Sequence, residues 1–467
     1  MNEAGSSPSL VKPAPAATDL FPLEVTPFEA FMLADDRRGY PMILVVETHF
    51  AGELDRTAFE SAFAESIGRH PLLTARIEKA RGGPRWAAGP GTLPTFDWCG
   101  DGRLAGKTPH DSFDLASECG VRCWVRLFPD RSKLLWQFSH VSSDGVGAMQ
   151  FLEDFMVAYA RALPGDHERP EFRPLDPLEL KARNRFGDER DPQAKPPGWR
   201  DFVATLKDAI QFLLRKPVPL TVPKVSSTAA GGDPFSGIAM AHFAEDELAA
   251  LRAAAMRAEA TLNDFLLAIL FQTLIEWNRA HGATKDDAFL RVLMPMNLRR
   301  REHAEMPAAN LTGFGFLEKQ MGQCGNLTEL AGAIRADTRD LKRQRAGEDF
   351  IHGIAALQRL GGVLPWVLRQ PRCLSSAVLT NLGDPTQLFK TKFPRHNGRC
   401  LVGNLELECF TGFTAVRPLT RASFAITISA GTMVAGVHCD PQGFSLADAQ
   451  QLIDAFKSRA MQASTVP

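Results

Sequence analysis

The sequence predicts an α/β protein of two lobes, each a largely antiparallel mixed sheet flanked by helices. Two observations carry this prediction. One order of elements occurs twice: strand, turn, strand, histidine, loop and helix, first over residues 121–163 and again over 423–456. In addition, 467 residues are long for a single hydrophobic core. The core pattern lapses in the middle, where residues 164–196 are polar and proline-punctuated and residues 225–237 are rich in Ser, Ala and Gly. The expected division is a disordered leader over 1–19, a first lobe over 20–180, a connector over 181–235 and a second lobe over 236–467.

In chain order, the Pro/Ala/Ser-rich start lacks the apolar core of a signal sequence. Pro41–Phe50 is β-branched and reads as a strand. Asp55–Arg69 reads as a helix with Phe59, Phe63 and Ile67 on one face, and His70 follows it just before Pro71, a structural position. Val121–Phe128 alternates like a strand, Pro129–Ser132 turns the chain, and Lys133–His140 is a buried strand. Val146–Leu163 then carries Phe151, Leu152, Phe155, Met156 and Tyr159 at helical spacing. Trp199–Leu214 is amphipathic; it reads first as a helix packing the lobes and second as a segment touching a membrane or a lipid substrate. The second half offers a strand at Gly237–Phe243 and helices at Glu245–Glu259 and after an N-cap at Thr261. Strands follow at Phe289–Met296 and Leu374–Leu382, then a hairpin ending in His438-Cys439-Asp440, and a helix from Ser445 with Asp448 completing a capping box.

The chemistry concentrates at Ser139-His140-Val141-Ser142-Ser143-Asp144-Gly145-Val146-Gly147. His140 leaves a strand into a turn whose Ser142, Ser143 and Asp144 supply N-cap oxygens and whose Gly145 and Gly147 allow a sharp bend. An imidazole near its ordinary pKa of about 6.5 is largely neutral at pH 7 and can take a proton from a hydroxyl or an amine. Asp144 either orients the ring or turns away and pins the loop against a cation. A histidine in this place can equally be a satisfied core residue. His438, at the corresponding point of the second lobe, lacks the following residues and is expected not to be catalytic.

His140-Val-Ser-Ser-Asp144-Gly145 resembles the His-x-x-x-Asp-Gly signature of the condensation-domain and chloramphenicol-acetyltransferase-like acyltransferase superfamily, which includes polyketide-associated acyltransferases, wax ester synthases and alcohol acetyltransferases. Further stretches fall in the family's order: Thr26–Glu29, Gly68–Leu73, Thr261–Ala268, Met294–Arg299 and Thr380–Gly383, so the resemblance spans about residues 20–460. Many members have a second histidine just before the signature; here that place holds Ser139. The resemblance implies two such lobes meeting around an active-site tunnel, with His140 as general base. It implies that Arg299 pairs with Asp144 and that Asn381 contacts substrate or a developing oxyanion, a turn-capping role being equally open to that residue. Ser139 is a further candidate substrate contact, and backbone N–H groups at the helix start near Gly145 are candidate donors to the oxyanion because helix polarity there favours negative charge. It implies an acyl thioester co-substrate, acyl-CoA or a phosphopantetheine arm on a carrier protein in trans, with a small-molecule hydroxyl or amine as acceptor and no bound cofactor. The alternative is a non-catalytic module that binds an acyl group or carrier protein.

Composition narrows the field. A hydrophobic fraction of 45%, a charged fraction of 23% and a net charge of −1 are those of an ordinary globular protein. They give no reason to expect nucleic acid or an anionic membrane as partner. No apolar run reaches the ~20 residues of a membrane helix, and the cytoplasm is the expected compartment. The eight cysteines show no paired spacing for zinc, and Cys119 and Cys123, four apart, read as core; no metal site is expected.

Overall fold

The computed structural model describes residues 20–89, 93–165, 167–186, 199–224, 237–282 and 285–465. The expected leader lies outside these residues, as do 187–198 and 225–235 of the expected connector.

A seven-stranded sheet underlies the first lobe. Its spatial order is Arg395–His396, Arg399–Val402, Leu405–Thr414, Ile43–Ala51, Arg131–Ser139, Val121–Leu127 and Phe96–Trp98. Neighbours are antiparallel except Phe96–Trp98, which runs parallel to Val121–Leu127. Strand alternation sends Leu44, Val46 and Phe50 toward the helices Arg56–Gly68 and Gly145–Ala162, and Ile43 and Val45 toward the other lobe. The helical side packs around buried Trp136, with Phe59, Phe63, Phe151 and Phe155 at ring separations of 4.9 to 6.3 Å. Asp55 caps the first of these helices by accepting from the Ala58 N–H at 2.7 Å.

The second lobe holds a six-stranded sheet ordered Thr312–Gln320, Phe289–Asn297, Ala377–Gly383, Ala422–Ser429, Thr432–Cys439 and Ala239–Phe243. Only Ala377–Gly383 runs parallel to its neighbours. Helices Glu245–Arg257, Leu262–His281 and Leu446–Thr465 cover it. The caps at Thr261–Asp264 and Ser445–Asp448 both form. A small sheet of Leu23–Glu24, Gly83–Ala87 and Arg76–Ala80 flanks the first lobe. No single helix among the described residues is long and apolar enough to cross a membrane.

The two lobes share strands, and here the structure departs from the expected boundaries. Residues 236–467 are not one lobe, because Arg395–Thr414 cross over and complete the first sheet along the edge of Ile43–Ala51. An exposed strand edge carries unpaired N–H and C=O groups that must be covered, and which segment covers it is decided in space, not by position in the chain. The crossing strand is tied back to the second sheet by Thr427 Oγ1 donating to the Phe410 carbonyl at 2.5 Å and by the Thr414 and Ser423 hydroxyls at 2.7 Å. Sequence periodicity also passes over the helices Leu327–Arg343, Ala346–Gln358 and Val363–Arg369, which the structure adds to the second lobe.

His438 sits at this junction. Its ring is buried, 4.3 Å from Phe413 and 5.3 Å from His110, both contributed by the first lobe's side. Burial, reinforced by the neighbouring His110 and opposed by the Thr414 backbone, pushes its pKa down to about 3. The folded state therefore keeps this ring neutral where an unfolded histidine would be protonated, so stability falls as pH drops below 6.5 toward 3. Between pH 7 and pH 5 this one residue should cost about 2 kcal/mol. His438→Phe should remove that share of the acid dependence, read from urea midpoints at the two pH values.

Candidate active site between the lobes

The signature loop is built from the strand outward. Ser139 ends its strand opposite Ile43, and its N–H donates to the Gly120 carbonyl at 2.8 Å. Its carbonyl accepts from the Ser142 and Ser143 N–H groups and from Ser142 Oγ. Its own hydroxyl accepts from Val141 N at 3.3 Å, so the side chain is occupied in shaping the turn. His140 donates its N–H to Met42 at 2.9 Å, and its carbonyl accepts from Asn310 Nδ2 at 2.5 Å.

Asp144 does not orient the His140 ring. Its Oδ1 caps the following helix through Gly147 N at 2.8 Å. Its Oδ2 accepts from Arg299 Nη1 at 2.7 Å, Leu311 N at 2.7 Å and Thr312 Oγ1 at 2.9 Å. Burial raises the pKa of this carboxyl, but the Arg299 guanidinium and the backbone donors outweigh it and hold it below the ordinary carboxylate value. Arg299 also donates to the Ala309 carbonyl at 2.8 Å. The structure thus brings His140, Asp144 and Arg299 together with a segment, residues 309–312, that the sequence did not single out. A return strand after Phe289–Asn297 was the available signal: a hairpin partner there must bring residues 310–312 back beside Arg299, as the pairing of Thr312 with Asn297 does.

Gly147 is demanded by contact. A Cβ there would lie 2.8 Å from the Ala309 carbonyl oxygen and 2.5 Å from Ser143 Oγ. Gly145 begins the helix, and a Cβ on it would meet Leu382 at 3.7 Å. Asn381, one residue earlier, is spent elsewhere: its Nδ2 donates to Asn263 Oδ1 at 3.1 Å and its Oδ1 accepts from Gly383 N at 2.9 Å. Of the two roles open to it from sequence, the turn contact is present. His70 is fully buried; its Nδ1 accepts from Ala308 N at 2.9 Å, and Nε2 lies 3.2 Å from Asp154 Oδ2. This binds the signature helix to the same 308–312 segment.

His140 lines a cavity of about 90 Å³ between the lobes, together with Met42, Leu293, Pro295, Phe314, Val378 and Arg417 among others. Burial lowers its pKa below the usual histidine value, against the opposing pull of Asp144 and of the His140 and Ser143 carbonyls. Nδ1 is buried and makes no well-formed hydrogen bond, although those carbonyls are near. The site therefore presents a neutral imidazole, backed by an ion pair, to a largely apolar space. Among the described residues, no group of three His, Cys, Asp or Glu side chains could hold a metal ion.

This architecture is that of condensation domains. Polyketide synthase associated protein 5 from Mycobacterium tuberculosis superposes with a TM-score of 0.60 at 16% identity, over 95% of this chain and 98% of that one. The starter condensation domain of rhizomide synthetase, solved with C8-CoA and Leu-SNAC, gives 0.63 at 13% identity over 96% of each chain. By sequence, an uncharacterized protein of Mycobacterium tuberculosis (strain ATCC 25618 / H37Rv) is 24% identical over 397 residues, 77% of this chain and 83% of that protein. No family model matches. The chain has the condensation-domain fold, with two chloramphenicol-acetyltransferase-like lobes of mixed sheet and flanking helices, and the resemblance read from its signature holds at that level.

Removing Arg299 would leave a buried carboxylate short of its cation, which typically costs about 3–5 kcal/mol. Arg299→Ala should lose stability of that order at pH 7 in urea denaturation. The deficit should shrink as pH falls through the folded-state pKa of Asp144, because that carboxylate's contribution is present above the unfolded carboxylate pKa and lost below the folded one. Gly147→Ala should destabilise by about 1–3 kcal/mol through overpacking against Ala309, checked in the same assay.

Proposed function

We propose that this protein is an acyltransferase that moves an acyl group from a thioester to a hydroxyl or amine, with His140 as general base. The observation that carries the reading is the arrangement of the motif: His140 lines a largely apolar cavity between the lobes, while Asp144 is committed to Arg299 and the backbone. With Nδ1 sealed in, Nε2 is the nitrogen available to an acceptor. The condensation-domain fold supports transfer chemistry, and the neighbour solved with C8-CoA and Leu-SNAC supports thioesters as the donor class.

In this mechanism the acceptor's O–H or N–H proton passes to His140 as its oxygen or nitrogen attacks the thioester carbon. The carbonyl oxygen takes up the negative charge of the tetrahedral intermediate. The Gly145 and Val146 N–H groups, ahead of the Gly147 N–H that Asp144 already takes, are the donors suited to it, since helix polarity there favours an anion. The intermediate collapses by breaking the carbon–sulfur bond, and the departing thiolate of coenzyme A or of a phosphopantetheine arm recovers the proton from His140. Arg299 and Asp144 act by holding the loop. The apolar cavity excludes water that would hydrolyse the thioester.

Thiol release from acyl-CoA donors with pooled alcohols and amines tests the reading. His140→Ala should lower acceptor-dependent release about 10²–10⁴-fold while remaining folded. Because burial depresses the His140 pKa, the acid limb of kcat/KM should lie below pH 6.5 and the rate should stay level above it. A mutant as fast as wild type would remove His140 from the mechanism. A folded wild type that binds donors without turnover would point to the binding module instead.

A further inference from the structure

A second, larger cavity adjoins the one at His140. It measures about 400 Å³ and is walled by the helices Trp199–Leu214, Ala346–Gln358 and Val363–Arg369. The two cavities share Phe31, Phe212, Phe314, Phe316, Phe350 and Leu374. Four of these rings pack as a partition, with centroids 4.6 Å apart for Phe212 and Phe316, 4.9 Å for Phe314 and Phe350, and 5.8 Å for Phe316 and Phe350. The Trp199–Leu214 helix is held in place by the Arg291 guanidinium, 4.0 Å over the Phe212 ring and bonded to Glu318.

The polarity of the walls is graded. In the inner cavity, Asp35 and Arg417 neutralise each other in a two-pronged pair at 2.7 and 2.8 Å. In the outer cavity the ionisable lining residues, Asp208, Asp349 and His352, are exposed and mark its solvent end. The side chains that both cavities share are aromatic and aliphatic and offer a phosphate or ammonium no partner, so a long neutral chain is what these walls suit. At about 30 Å³ per heavy atom, water's share of its own liquid volume, the outer cavity holds on the order of a dozen carbons.

We propose that the outer cavity seats the alkyl chain of a medium- to long-chain substrate whose reacting end lies at His140, and that the phenylalanine partition and the Ala209 and Ala346 walls set the accepted length. The chemistry is shared by two sources, a fatty acyl donor and a long-chain alcohol or amine acceptor. The turnover part of the test rests on the transferase reading; the binding part does not.

Two homologous series tell the sources apart: acyl-CoA donors from acetyl to tetradecanoyl with one short acceptor, and n-alkanols or n-alkylamines of the same lengths with acetyl-CoA. One series should gain about fourfold in kcat/KM per added methylene and level off near a dozen carbons. Steepness in the first assigns the cavity to the donor, and steepness in the second assigns it to the acceptor. Ala209→Trp, which fills the outer cavity, should lower the ratio of dodecyl to short-chain kcat/KM at least tenfold. Ala346→Trp, on a different wall, is the second variant should the first fail to fold. In parallel, calorimetric titration of His140→Ala with both series should give the same length dependence in affinity. If binding is steep and Ala209→Trp flattens it while no pair turns over, the cavity assignment stands and the transferase reading fails. If both series are flat in binding and turnover, or if neither tryptophan variant changes the slope, the assignment is overturned.

Discussion

The site depends on one carboxylate. Asp144 is taken out of water, a cost that burial alone would answer by protonating it, and it remains ionised because four donors converge on it. One donor, Gly147 N, belongs to its own helix; Arg299, Leu311 and Thr312 come from across the lobe boundary. The same interaction therefore starts a helix, fastens the two lobes and fixes the loop from which His140 projects. It also explains why Asp144 does not orient the imidazole: every strong interaction it can make is already made.

The second constraint is the shared sheet. Because Leu405–Thr414 pairs with Ile43–Ala51 and packs against Ala422–Ser429, the cavity beside His140 is bounded by strands that are continuous with both lobes. The two repeats of strand, turn, strand, histidine and helix diverge at this point. His140 follows its strand into a loop and meets open space, whereas His438 stays within its strand and is closed between Phe413 and His110. One topology thus yields a histidine beside a cavity and a histidine that serves as packing.

Burial lowers the pKa of both histidines, with different consequences. At His438, enclosed on all sides, the effect is one of stability alone. At His140 it favours the neutral imidazole, the form that the proposed general-base role requires, and the burial that causes the shift comes with a largely apolar lining.

Much of this was legible in the chain itself. Period-two and period-3.6 patterns located the core strands and the helices at 56–68, 145–162 and 262–281, since these bury one face and must alternate accordingly. The signature placed His140 and Asp144 at a strand-to-helix turn, and local capping chemistry predicted the N-caps at Asp144, Thr261 and Ser445, because such bonds reach only three residues along the chain. What the sequence by itself determined was therefore local: which segments are strands or helices, where they begin, and which loop carries the histidine. Tertiary structure alone decided which strand covers the edge of Ile43–Ala51, that Asn310, Leu311 and Thr312 grip the loop, that Asn381 turns to Asn263, and that five phenylalanines meet between two cavities. Each of these pairs residues far apart in the chain through free edges, desolvated charges and packing, and such forces act on distance in space, which residue spacing does not encode.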